Sequence, residues 1–113
     1  MTRVRITGPA RRDIADALRG SREDFGARAC ERYRRLFDRA LRDLAAHPRG
    51  PGVRAIDDVR PGYFVYHLRS SAKGRVGTVR RPRHLIAFRV DDSGDVVVAR
   101  VFHERQMLAR YLE

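Results

Sequence analysis

The apolar residues of this chain change from a helical to a strand period at Pro48. From Ala27 to Ala46 they recur every three to four positions (Ala29/Cys30, Tyr33, Phe37, Ala40/Leu41, Leu44), with Arg, Glu and Asp filling the other face. That spacing predicts a helix with one buried stripe, ended by Pro48. A Pro- and Gly-rich loop follows, "HPRGPGVRAIDDVRPG" (47–62). Beyond it the chain reads "YFVYHLR" (63–69), "HLIAFRVD" (84–91) and "DVVVARVFH" (95–103), three runs rich in β-branched and aromatic residues. These predict strands. A helical stripe followed by consecutive strands buries both best by laying helices on one face of a sheet, an α+β arrangement.

The N-terminal half completes the order. "RVRIT" (3–7) alternates with Val4 and Ile6 on one face and predicts a short strand, which Gly8-Pro9 stops. Pro9 suits the first turn of a helix. Ala10, Ile14, Ala17/Leu18, Ser21 and Phe25 then recur at helical spacing to about Asp24, with Gly26 a plausible C′ residue. Gly20 weakens this helix by about 1 kcal/mol relative to Ala. "SRED" matches a capping box, so a break at Ser21 is an alternative. "DDSGD" joins the last two strands as a hairpin turn, Gly94 supplying the positive φ. The expected order is β-α-α-β-β-β, a helical hairpin on one face of a mainly antiparallel sheet. Met107, Leu108, Tyr111 and Leu112 add the apolar stripe of a short C-terminal helix. One domain over residues 1–113 is expected.

The 113 residues can bury roughly 60–70% of the surface an unfolded chain exposes, so a core needs no metal or disulfide. The single cysteine, Cys30, excludes an internal disulfide and lies on the helical stripe as a small buried residue. "MTRVRITGPARRD" has no apolar signal-peptide core, and no 18-residue apolar run could span a membrane, so the expectation is a soluble cytoplasmic protein. The net charge of +11 points to acidic partners. Its distribution is uneven: residues 59–90 carry 8 basic and no acidic side chains, whereas residues 91–113 carry 3 basic and 5 acidic ones. The excess is concentrated in the middle of the chain, in and around "SSAKGRVGTVRRPR".

Five strings, "ARRDIADALRGSREDFG", "LRDLAAHPRGPG", "RPGYFVYHLR", "RPRHLIAFRV" and "VARVFHERQMLARYL", occur in an order and spacing that resembles the RelE/ParE toxin superfamily, its ParE-like branch above all. The resemblance covers nearly the whole chain. It implies a small toxin of a type II toxin–antitoxin pair, neutralised in a hetero-oligomer by a cognate antitoxin. ParE-like members are associated with poisoning DNA gyrase, and RelE-like members with cutting messenger RNA in the ribosomal A site. The fold alone cannot separate the two.

Metal-free RNA cleavage needs a base, an acid and cations around the phosphate. His67, His84 and His103 could supply the first two, with Arg69, Lys73, Arg89 and Arg100 supplying charge. Strand parity speaks against one site built from His103, Arg100, Arg89 and His67. In a regular last strand Arg100 and His103 point to opposite faces, with His103 sharing a face with Ala99 and Val101; the same parity separates Arg89 from His84. His103 then closes the strand and hydrogen-bonds the start of the last helix. His67 reads as structural, His84 stays unassigned, and His47 marks a helix end whose dipole favours a cation. No Gly-rich phosphate loop, metal-ligand cluster or nucleophile elbow is present, so neither cofactor nor metal is expected. The preferred reading is a gyrase poison acting by binding, with Arg100, Arg105 and Arg110 as candidate target contacts. The basic loop has no aromatic residue to stack on bases, and the family resemblance implies instead that it faces an acidic or amphipathic antitoxin tail, with Lys73, Arg75, Arg80 and Arg81 as the candidate contacts.

Overall fold

The computed structural model describes residues 2–72 and 79–106. Strand β1 (Val4–Ile6) leads into helix α1 (Gly8–Phe25), helix α2 (Ala27–Ala46), strands β2 (Val53–Ala55) and β3 (Tyr63–His67), a short helix α3 (Arg69–Ala72), and strands β4 (His84–Val90) and β5 (Val96–His103). The expected helical hairpin and mostly antiparallel sheet are there. The sheet runs β1-β5-β4-β3-β2, all pairs antiparallel except β1 with β5. Two elements lie outside the expected order. β2 sits within the Pro/Gly-rich loop, where three residues pair with Phe64–Tyr66. α3 takes over where "YFVYHLR" was expected to continue as strand, the chain turning at Leu68. The proposed C-terminal helix and Arg110, like Lys73 and Arg75, fall outside the described residues.

α1 begins at Thr7, whose Oγ1 accepts from the Ala10 N–H at 3.2 Å and donates to the Ala99 carbonyl at 2.9 Å. The cap therefore also ties the helix start to β5. α1 runs unbroken through Ser21, so the capping-box alternative is not used. Gly26 alone separates the two helices, at φ 92° and ψ 175°, a region essentially restricted to glycine. Gly94 takes φ 85° in the β4–β5 turn, as expected.

The main core lies between the hairpin and the sheet. Phe37, Leu44, Ile86, Phe88, Val96 and Val98 are at its centre, each no more than 2% exposed. A smaller cluster of Ile56, Val65, Ala87 and Phe102 occupies the opposite face. Cys30 is only partly buried, at the margin of the helical stripe rather than within the core.

β5 is not regular. Ala87 stands opposite Arg100 and Phe88 opposite Val98, so Ala99 is an extra residue that bulges the strand. The bulge resets parity: Val96, Val98 and Val101 all join the helix-side core, while Ala99 packs with the other cluster. His103 thus shares its face with Val101 but not, as expected, with Ala99. β1 covers β5 only from Val96 to Val98. Beyond it Asp13 of α1 caps the free edge, Oδ2 accepting from the Val101 N–H at 2.9 Å and from Arg100 Nε at 2.7 Å, Oδ1 from Arg100 Nη2 at 3.0 Å.

No helix among the described residues is long and apolar enough to cross a membrane.

Candidate partner groove

Tyr33 is the hub of the site. It lies on the buried stripe of α2, and its hydroxyl reaches the start of β4, 51 residues further along the chain. There it accepts the Arg83 N–H at 3.0 Å and stands 2.7 Å from His84 Nδ1. The Tyr33 oxygen thus accepts the Arg83 proton and shares a second hydrogen bond with His84 Nδ1, whose direction follows the imidazole tautomer. Burial pushes the Tyr33 hydroxyl up to about 12 and holds His84 down to about 4, with nearby His103 and His67 acting on His84 in the same direction. Both shifts favour the neutral form of the pair, so they agree.

Two further histidines close the corner. His103 is the register partner of His84 across β4 and β5, and the rings meet edge to face at 5.3 Å. Its N–H donates to Gln106 Oε1 at 2.7 Å, and its Nδ1 accepts the Arg105 N–H at 3.1 Å, so it closes the strand end. His67 does the same at the end of β3, its Nδ1 accepting the Arg69 N–H at 3.1 Å. His67 Nε2 then donates to Glu104 at 3.0 Å, while Arg83 binds the other Glu104 oxygen at 2.7 Å. These partners, Arg83 first, hold the Glu104 carboxyl down to about 2. His67 and His103 therefore use Nδ1 as acceptor and carry the proton on Nε2.

Beside this corner opens a groove of about 1000 Å³ between the hairpin and the segment entering β4. Small residues form its hairpin side, Ala17, Gly20 and Ser21 from α1 and Ala29 from α2. Val79, Arg80, Arg81 and Arg83 form the opposite wall, and His84 and His103 close one end. Phe25, 77% exposed, stands at the lip. Arg32, Arg80 and Arg81 outnumber Asp16 and Asp24 along the rim, since Arg83 is already neutralised by Glu104.

The model of the ParE toxin of the type II toxin–antitoxin system parDE matches residues 4–108. The chain belongs to the ParE toxin family. It is therefore a toxin of a type II toxin–antitoxin pair, and the family implies an antitoxin partner. No curated protein matches the chain significantly.

In this ParE-family toxin the residues singled out in the sequence do not share one place. Arg80 and Arg81 reach the groove rim. Arg100 does not project freely, being held by Asp13. Arg105 is exposed, and its guanidinium pairs with no described residue. Arg89 lies opposite Tyr63 and Val97, on the face away from His84. His67 and His103 share the corner with His84, but Arg100 and Arg89 do not join them. Sequence reasoning missed Tyr33, Arg83 and Glu104, because each acts through a partner distant in sequence and none carries a local motif. Among the described residues no group of three or more His, Cys, Asp or Glu could hold a metal ion.

Proposed function

We propose that this toxin inhibits growth by binding DNA gyrase, and that its antitoxin neutralises it by laying an acidic, amphipathic segment into the groove. The observation that carries a binding role is the state of the three histidines. Each has its Nδ1 engaged by a hydrogen bond, and in His67 and His103 that nitrogen accepts a backbone N–H. A general base must present a free lone pair to the 2′-hydroxyl, and His67 and His103 have theirs engaged. The cations a nuclease would need around the phosphate are also dispersed, with Arg100 on Asp13 and Arg89 across the sheet. The antitoxin reading is supported by the small-residue floor, which allows a helix to approach closely, and by the basic rim at Arg32, Arg80 and Arg81. Arg105, exposed beyond the corner, is the candidate target contact that remains among the described residues.

Expression without antitoxin should cause DNA-damage signalling and filamentation while bulk translation continues. Purified toxin should alter gyrase supercoiling or the yield of cleaved complex. A rapid stop in translation with cuts in messenger RNA at the ribosomal A site, and no effect on gyrase, would replace this reading with that of a metal-independent endoribonuclease.

A further inference from the structure

The solvent face of α2 carries a second feature, which shares only Arg32 with the groove. Arg28, Arg32, Arg35, Arg39 and Arg42 follow one another at intervals of four, three, four and three residues, and all five are exposed. At 100° per residue they fall within an arc of about 80°, a single ridge. With a rise of 1.5 Å per residue the ridge is about 21 Å long. Arg28, Arg32, Arg39 and Arg42 form no ion pair with any described residue, and Arg35 shares Glu31 with Arg34 at 3.4 Å. The neighbouring acids are otherwise engaged: Glu31 and Asp38 with Arg34, and Asp43 with Ser71. On α1, by contrast, Arg19 pairs with Asp16. An unmixed row of guanidinium groups on a rigid 20-residue helix is an expensive surface to leave without a counter-charge.

We propose that this ridge binds the phosphate backbone of double-stranded nucleic acid without reading its sequence. Its length exceeds the width of either groove of B-form DNA, about 12 Å and about 6 Å, so its two ends can meet phosphates of both strands. Guanidinium groups pair with phosphate oxygens in a fixed, often bidentate geometry. The ridge has no aromatic residue on which an unpaired base could stack, which favours a duplex over a single strand. The inference concerns the purified toxin and free duplex, and stands whether or not gyrase is the target.

The test is fluorescence anisotropy of a labelled 24-base-pair DNA duplex titrated with full-length toxin between 50 and 200 mM KCl. If four to five phosphates are neutralised, log K should fall against log salt with a slope of about −4, a loss of several hundred-fold across that range. R28Q/R32Q/R39Q/R42Q should abolish most of the binding and bring the remaining slope towards about −1. The same four positions changed to lysine should keep the slope, because the charge is kept. R3Q/R54Q/R69Q/R105Q removes the same charge from elsewhere and should also keep it. Circular dichroism confirms that each variant is folded. An equal loss in both glutamine variants would show that diffuse net charge is responsible and overturn the proposal. So would tighter binding to a single strand of the same length, or binding to polyglutamate but not to duplex. A duplex of RNA that binds as well as DNA supports the backbone contact and removes any DNA preference.

Discussion

His84 is the residue whose protonation the fold resists most clearly. Its folded value, about 4, lies below the ordinary 6.5. Between these values the unfolded chain binds a proton that the folded chain does not, so stability must fall as pH drops from about 6.5 to about 4. Glu104 acts one step lower, its value held at about 2 against 4.5, so its contribution is present above 4.5 and is lost as pH falls towards 2. The two windows separate the two groups. Urea midpoints measured from pH 8 to 2.5 should decline in both windows for the parent chain. His84→Gln, whose amide can still hydrogen-bond the Tyr33 hydroxyl, should flatten the decline between 6.5 and 4.5 and leave the lower one. Glu104→Gln should do the reverse; an unchanged upper decline in His84→Gln would assign that step to another residue. None of this was legible in the string "RPRH", because burial of His84 is set by Tyr33 and Phe37 on a distant helix. His103 was legible as a strand-closing residue, since its partners Arg105 and Gln106 are its own neighbours.

At the scale of elements, the helical hairpin turns on two glycines that should respond in opposite directions. Gly26 makes the whole connection between α1 and α2 at φ 92°. An alanine there has open space around its Cβ but must hold a backbone region that only glycine adopts readily, at a cost on the order of 1–3 kcal/mol. Gly20 lies inside α1 and a Cβ there also meets nothing within 4 Å. Gly20→Ala should therefore stabilise the fold by about 0.8–1 kcal/mol, the helix-propensity difference alone. Thermal melts of the two variants side by side should shift in opposite directions. Because Gly20 also lines the groove, Gly20→Leu should melt no lower than the parent yet weaken antitoxin binding; unimpaired binding would mean the groove floor is not the contact. The helices could be read closely from sequence because their signals are local: α2 spans the expected Ala27–Ala46, and α1 runs one residue past the expected end. The departures are non-local. β2 forms only because β3 offers it an edge, and the bulge at Ala99 arises where β1 stops and Asp13 takes over.

For the whole molecule, a net charge of +11 gives the toxin a field that attracts any acidic partner, yet the rate of productive encounter depends on where that field is strongest. The Debye length is about 10 Å at 0.1 M salt and about 3 Å at 1 M, so a charge beside the proposed docking groove acts on a segment approaching it more than an equal charge on the far side of the hairpin. Arg80 and Arg81 stand on the groove rim, whereas Arg39 and Arg42 lie along the outer ridge of α2 towards its C-terminal end. Removing two charges from either pair lowers the net charge equally. Stopped-flow association with the cognate antitoxin at 0.1 M salt should therefore slow more for R80Q/R81Q than for R39Q/R42Q, and dissociation should change less than association in both. Raising the salt to 1 M should bring the association rates of all three proteins together. If the two variants slow equally at low salt, the encounter is governed by total charge and the rim has no special part in it. If R80Q/R81Q instead raises only the dissociation rate, the two arginines make short-range contacts in the bound complex and do not steer its formation.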